Sequence, residues 1–241
     1  GAIYPGDVQK MVIAHQAHVG IAHDGDADRA VFVDERGRVI PGEAVLFAFA
    51  KDLHEQGELR ENTIVTTEMS NQGLEVALNE IGIQVVRTAV GDRYVLDKML
   101  AKGYTFGGES SGHTIFLDYS TTGDGLIAAL QFLTLMQRLE KTPSELTESV
   151  PLFPQVSSDV RVREKIPLEE IPELQQALSD YRICLARNGR LLVRYSGTES
   201  ILRIMVEGKD HEVISNMAHR LTGIVEKHVG VGDPRRARTG V

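Results

Sequence analysis

Apolar residues between positions 19 and 34 form two short β-rich runs, at residues 19–23 and 30–33, on either side of the acidic segment DGDADR. The residues that follow, 35–38, have the composition of a turn. This pattern predicts a strand, a loop and a second strand.

From residue 41 the pattern alternates between helical and strand periodicity. Residues 43–56 place Val45, Leu46, Phe49 and Leu53 on one helical face. Further helices are predicted at 72–81, 92–102 and 124–139, and strands at 63–67, 84–88 and 113–117. Such alternation indicates parallel strands with helical crossovers, and we predict an open, mixed or parallel α/β domain at 41–153.

A proline-punctuated stretch at 149–154 has the composition of an interdomain connection. Beyond it the pattern predicts strands at 158–162, 181–186, 191–195 and 202–207, and helices at 168–179 and 210–228. Strands that are neighbours in sequence, with helices to one side, predict a small α+β domain at 156–230. Residues 231–241 lack apolar periodicity and are predicted to be a loose tail.

Composition narrows the class of function. The chain has 26 Lys and Arg against 34 Asp and Glu, a net charge of -8, and 42% hydrophobic residues, which is typical of a globular protein. Basic residues cluster only at Arg235, Arg236 and Arg238, so neither nucleic acid nor an anionic membrane is expected as the main partner. The single cysteine, Cys184, excludes an internal disulfide and a Cys-based zinc cluster, and it favours the cytoplasm. No stretch reaches the ~18 apolar residues of a membrane span.

The first candidate site is the acidic segment, where Asp24, Asp26 and Asp28 alternate along the chain. Three carboxylates without a nearby His or Cys favour a hard cation such as Mg²⁺, Mn²⁺ or Ca²⁺. An EF-hand is excluded, because Arg29 stands where its loop needs Gly and the flanking segments are strands. The alternative that stays open is a solvated acidic turn paired with Arg29.

Two further loops carry candidate chemistry. The loop GGESSGH lies between a strand end and the following strand at 113–117, and its Glu109 and Ser111 offer hydrogen-bonding groups that suit sugar hydroxyls. The loop RYSGTES joins the last two strands, and Arg194, Ser196, Gly197 and Thr198 combine into a phosphate cradle. Each could also be an ordinary turn.

These motifs, taken in order with GDRYV at 91–95 and TTGDG at 121–125, resemble the α-D-phosphohexomutase family over nearly the whole chain. GDRYV and DYSTTGDGL are most similar to the bacterial phosphoglucosamine mutase branch. The family has four domains around a central cleft. The resemblance implies that residues 1–38 end domain two, that 41–153 form domain three, and that 156–230 form domain four.

The resemblance also implies roles for individual residues. Mg²⁺ would be bound by Asp24, Asp26 and Asp28, beside Arg29. The sugar would be contacted by Glu109, Ser111 and His113. The non-reacting phosphate of a phosphorylated amino sugar would be held by Arg194, Ser196, Gly197 and Thr198. Arg29 and His113 are candidates to assist catalysis, and Asp92 and Arg93 are expected to face the cleft. Ser200 stands where the family commonly has Pro.

One departure from the family pattern is large. The family's nucleophile is a phosphorylated Ser in a Ser-His-Asn type loop, and the sequence holds no such motif. The chain opens with Gly rather than Met, so we expect a portion of a longer phosphoglucosamine mutase that lacks the N-terminal domains and is inactive alone. The alternatives are a non-catalytic phosphosugar-binding module, or a relative specific for glucose or mannose phosphates.

Overall fold

The computed structural model describes residues 1–148, 150–186 and 188–231. The chain divides into two compact units, one comprising residues 1–152 and the other beginning at Phe153. The predicted tail, apart from Val231, lies outside the described residues. Among the described residues, no helix is both long enough and apolar enough to cross a membrane.

The first unit opens with a helix and a hairpin. Helix α1 (Gly6–His15) precedes strands β1 (Gly20–His23) and β2 (Ala30–Val33), which the sequence predicted as two strands joined by a loop. The two strands pair antiparallel. The sequence pattern does not predict α1. Only Val12 of this helix is buried, while Met11 and Ile13 are exposed, so its apolar pattern is weak.

The rest of the first unit contains a four-stranded sheet in the order β4-β3-β5-β6. Its elements in chain order are α2 (Gly42–Glu55), β3 (Thr63–Thr67), α3 (Gln72–Glu80), β4 (Gln84–Thr88), α4 (Asp92–Lys102), β5 (Phe106–Gly108), β6 (Thr114–Phe116), α5 (Gly125–Leu139) and α6 (Pro143–Thr147). Strand β3 pairs parallel with β4 and β5, and β6 pairs antiparallel with β5. The predicted mixed, mainly parallel α/β architecture is confirmed.

Aromatic rings tie the hairpin to the four-stranded sheet. The ring of Phe32 on β2 lies 4.4 Å from that of Phe132 on α5. Phe49 on α2 makes edge contacts with Phe132, Phe106 and Phe116. All five rings are buried, so the hairpin and the sheet share one apolar core, and the loops that leave them are held in a common frame.

The second unit is a three-stranded antiparallel sheet, in the order β7-β9-β8, with two helices. Its elements are β7 (Gln155–Arg161), α7 (Pro172–Leu185), β8 (Gly189–Tyr195), β9 (Ile201–Gly208) and α8 (His211–Val229). Leu174, Leu202 and Leu221, from α7, β9 and α8, are completely buried in its core. The predicted α+β architecture is confirmed.

The strand predicted at 181–186 is wrong, because α7 continues to Leu185. Tyr181, Ile183 and Leu185 alternate with polar residues, which is also the pattern of a strand. In the structure Ile183 is 75% exposed. Leu174, Leu178 and Leu185 are buried on one face of the helix, with Leu178 about one turn and Leu185 about three turns beyond Leu174. Packing against the core selects the helical period here.

Candidate functional site

The acidic segment forms the loop between β1 and β2. Carboxylate oxygens of Asp24, Asp26 and Asp28 all lie within 4.8 Å of one another. Ala27 has φ of 58°, in the left-handed region, and so turns the backbone between the last two of these residues. The carboxylates therefore converge because the segment is looped and not extended.

Arg29 pairs with two of the three carboxylates. Its Nε lies 3.2 Å from Oδ2 of Asp24 and 3.8 Å from Oδ1 of Asp28. The ion pairs expected of a simple acidic turn are thus present. One guanidinium cannot neutralise three carboxylates, however, and an excess of negative charge remains in the loop.

The pKa of Asp28 reflects that excess, whereas the pKa of Asp24 shifts the other way. Burial raises the pKa of Asp28, and its interactions with Asp24 and Asp26 raise it further. Burial also opposes ionisation of Asp24, but hydrogen bonds from the Arg29 amide and from Asp28 outweigh it and lower the pKa of Asp24. Among the described residues, nothing hydrogen-bonds the buried Oδ1 of Asp28. An all-oxygen donor set with a buried oxygen of this kind fits Mg²⁺.

The loop GGESSGH connects β5 to β6 at the carboxyl end of the parallel strands. Backbone hydrogen bonds from Glu109 N to His113 O (2.8 Å) and from Gly112 N to Glu109 O (3.1 Å) close it. Gly112 has φ of 95°, which favours glycine. Oε1 of Glu109 accepts a hydrogen bond from Gly91 N at 3.1 Å, and Ser111 is exposed at the loop tip.

Backbone pairing joins this loop to the acidic loop. Arg29 and His113 form an isolated antiparallel bridge, and Ala30 N donates to Gly112 O at 3.1 Å. The imidazole of His113 is 4% exposed, and its Nε2 lies 3.6 Å from Oδ2 of Asp28. The structure therefore brings the predicted metal-binding and sugar-binding residues of the first unit into one site.

The motif GDRYV contributes Asp92 to the same site. Oδ2 of Asp92 lies 3.9 Å from Nε2 of His113 at the start of α4. The side chain of Arg93 is 86% exposed and pairs with Asp97, one turn further along its own helix. Asp92 therefore lies next to the site. Arg93 instead forms its ion pair with a residue of its own helix, α4.

The predicted phosphate loop lies in the second unit, between β8 and β9. Ser196 is buried; its amide donates to Ile201 O at 2.8 Å and its Oγ accepts from Glu199 N at 3.2 Å. Gly197 and Thr198 are exposed, and the space where a Cβ of Gly197 would lie is open. The loop thus combines a fixed base with an accessible tip.

Sequence reasoning missed Lys165, whose Nζ donates to Ser196 O at 2.7 Å. The next residue, Ile166, accepts a hydrogen bond from Tyr195 Oη at 2.9 Å. The segment after β7 therefore supports the phosphate loop and adds a positive charge beside it. No motif marks Lys165, because the partner it supports is 31 residues away in sequence.

Comparison with known proteins places the chain in a family. Residues 41–153 match the α/β/α domain III model of phosphoglucomutase/phosphomannomutase, and residues 159–224 match the C-terminal domain model of the same family. The chain belongs to the phosphoglucomutase/phosphomannomutase family.

The curated relatives include bacterial phosphoglucosamine mutases. The protein of that name from Syntrophotalea carbinolica is 48% identical over 231 residues, covering 96% of this chain and 50% of the relative. The one from Chlamydia abortus is 47% identical over 232 residues, covering 96% of this chain and 51% of the relative. The chain spans about half the length of the curated relatives it matches.

Solved structures share the fold. A phosphoglucomutase/phosphomannomutase family protein from Burkholderia thailandensis aligns with a TM-score of 0.74 at 20% identity, covering 94% of this chain and 50% of that one. N-acetylphosphoglucosamine mutase from Aspergillus fumigatus, in complex with GlcNAc-6P and magnesium, aligns with a TM-score of 0.67 at 20% identity, covering 86% of this chain and 48% of that one.

Proposed function

We propose that this chain provides the metal, sugar and phosphate loops of a phosphoglucosamine mutase, which interconverts glucosamine 6-phosphate and glucosamine 1-phosphate through a phosphoserine and a 1,6-bisphosphate. The observation that carries the proposal is the Arg29–His113 bridge, which joins the acidic loop to the sugar loop. The names of the relatives support the choice of an amino sugar.

In this proposal Asp24, Asp26 and Asp28 hold Mg²⁺. Bound Mg²⁺ neutralises charge on the phosphoryl group in transfer. Arg29, oriented by Asp24 at 3.2 Å, adds positive charge at the edge of the same loop. The chain's own contribution is to present three converging oxygens with a guanidinium beside them, so that little rearrangement is needed when the cation binds.

Glu109 and Ser111 contact the sugar hydroxyls in this proposal. The Gly91 amide holds one carboxylate oxygen of Glu109, which limits the orientations that the carboxylate can take. His113, with Nε2 near both Asp28 and Asp92, holds the proton that a reacting sugar hydroxyl loses or gains.

The phosphate loop of the second unit binds the phosphate that does not react. Arg194 offers a two-pronged guanidinium, Ser196 and Thr198 offer hydroxyls, and the open space at Gly197 lets a phosphate oxygen approach the backbone. Fixing the distal phosphate directs the opposite end of the sugar toward the reacting groups, and the bisphosphate turns over so that each phosphate occupies this loop in turn, as a mutase requires.

The phosphoryl carrier of the family is not among the residues of this chain. We therefore propose that the chain alone binds phosphosugars without interconverting them, and that turnover needs the phosphoserine segment. A phosphosugar-binding module without catalytic function is the second candidate, because the binding loops are present and the nucleophile motif is not.

Calorimetry on the purified chain tests the proposed function. Glucosamine 6-phosphate is expected to bind, and to compete successfully against glucose 6-phosphate and mannose 6-phosphate. Adding a polypeptide with the phosphoserine segment of a relative should restore interconversion. Binding without restored turnover would favour the binding module, and preferential binding of the glucose or mannose phosphate would overturn the choice of amino sugar.

A further inference from the structure

The segment TTGDG, residues 121–125, stands out in the sequence but has no role in the chemistry proposed above. It leads into α5, whose first turn is capped by Asp124. The Asp124 carboxylate accepts hydrogen bonds from Leu126 N at 2.8 Å and Ile127 N at 3.1 Å. The start of α5 is therefore well defined, and the two glycines on either side of Asp124 are held with it.

Gly123 lies against the ring of His113. A Cβ at position 123 would stand 2.2 Å from Nε2, 2.3 Å from Cε1 and 2.7 Å from Cδ2 of that imidazole. The ring is 4% exposed and cannot move aside without disturbing its neighbours. Glycine is required at this position by lack of space, and its backbone sets where Nε2 of His113 lies.

Gly125 lies against the acidic loop. Its amide donates to Ala27 O at 2.9 Å. A Cβ at this position would stand 2.5 Å from Arg29 O, 2.8 Å from Ala27 O and 2.7 Å from Nδ1 of His23. Nδ1 of His23 is also 3.0 Å from Arg29 O. The same helix start thus touches the backbone of the acidic loop.

We propose that Gly123 and Gly125 are positioning residues for the metal site, the first acting through His113 and the second through the backbone of residues 27–29. This inference rests on the proposed function, which places Mg²⁺ in the acidic loop. Groups that contact metal ligands from outside the coordination sphere orient those ligands, and their loss costs about 10- to 100-fold in metal affinity. The same helix start therefore contacts both His113 and the acidic loop, each through its own glycine.

The test compares Gly123→Ala, Gly125→Ala and a control, Gly6→Ala, in the full chain. Gly6 begins α1 and has open space at its Cβ position. We expect Gly123→Ala to shift the His113 imidazole signals in long-range ¹H–¹⁵N spectra, and Gly125→Ala to shift the His23 imidazole and the Ala27 amide. Each should weaken Mg²⁺ binding in calorimetry by about 10- to 100-fold, whereas the control should change neither measurement.

A double-mutant cycle keeps the inference testable if Gly123→Ala fails to fold. Removing the ring with His113→Ala makes room for the added methyl group, so the unfolding free energy lost by Gly123→Ala should be largely recovered in the double variant. If Gly123→Ala lowers the unfolding free energy equally with and without the His113 ring, the assignment of Gly123 is overturned. Unchanged His113 imidazole signals in a folded Gly123→Ala variant would overturn it too.

The same measurements separate this inference from the proposed function. A wild-type chain that binds no Mg²⁺ would refute the metal site, while the imidazole signals and the double-mutant cycle would still decide whether the glycines position His113 and the acidic loop.

Discussion

Arg194 and Arg203 lie directly opposite each other on β8 and β9. Like charges at opposed positions of an antiparallel pair repel. Glu199, in the phosphate loop, lies 3.1 Å from the Arg203 guanidinium and offsets part of that repulsion. In the proposed function, a phosphate bound at this loop would add further negative charge beside the two guanidinium groups.

The phosphate loop gives the first prediction. Arg194→Lys should weaken the binding of glucosamine 6-phosphate by about 10- to 150-fold, since losing a charge-assisted hydrogen bond costs ~1.5–3 kcal/mol and an ammonium cannot replace the two-pronged guanidinium. An NMR titration that follows the Gly197 and Thr198 amides measures it. Arg220→Lys, on an exposed part of α8, is the control. If the Gly197 and Thr198 amide signals do not shift at millimolar glucosamine 6-phosphate, the phosphate site is rejected.

The second prediction concerns Lys165. Lys165→Met removes the hydrogen bond to Ser196 O and should lower affinity for glucosamine 6-phosphate, while the free energy of unfolding falls by only about 0.5–1.5 kcal/mol. Lys227→Met is the matched control, because Lys227 pairs with Glu173 and not with the loop. Equal effects of both variants on phosphosugar affinity would show that Lys165 acts only through overall charge.

The third prediction tests the metal ligands. Asp26→Asn should weaken Mg²⁺ binding by about tenfold or more, equivalent to ~1.4 kcal/mol, without lowering the stability of the metal-free chain, since it removes one of three mutually repelling charges. Calorimetry and thermal unfolding measure the two effects. Asp7→Asn, on the exposed face of α1, serves as control. Identical Mg²⁺ affinity in wild type and Asp26→Asn would contradict the assignment.

The fourth prediction is the lack of turnover. The purified chain should not interconvert glucosamine phosphates even with Mg²⁺ and a bisphosphate activator, because groups that position a substrate cannot replace a phosphoryl carrier. A coupled assay on protein prepared from a host lacking its own mutase measures this. Activity there would point to a nucleophile within the chain that the proposed function does not include.

The fifth prediction is a pH dependence away from the site. Burial raises the pKa of Glu35, but hydrogen bonds from Ser144 outweigh it, and the pKa lies below its ordinary value of 4.5. The folded state therefore favours the carboxylate. The resulting stability is present above pH 4.5 and is lost as the pH falls through the folded-state value. At pH 7 the free energy of unfolding of Glu35→Gln should be lower than that of the wild type, and denaturant unfolding should show this difference shrinking in acid. A difference that stays constant with pH would contradict the assignment.

Much of the local structure could be predicted from the sequence. The alternation of apolar runs identified β1, β2 and three strands of the four-stranded sheet, β3, β4 and β6, because short-range periodicity is enough to define an amphipathic helix or a buried strand. The three-residue strand β5 is too short to show a period. Periodicity failed at residues 181–186, where Tyr181 and Leu185 fit either period and Ile183, which fits only the strand period, is exposed on the helix. Only contact with the core of the second unit selects the helix there.

The sequence by itself determined which chemical groups are available: three closely spaced aspartates, a Glu109 and Ser111 loop, and an Arg194 loop. Those assignments follow from residue type and spacing, which are local properties of the chain. The tertiary structure decided that His113 lies 3.6 Å from Asp28, and that Gly123 packs against its ring. It also decided that Lys165 supports Ser196. These contacts join residues far apart in sequence, so they exist only once packing of the core brings separate loops together.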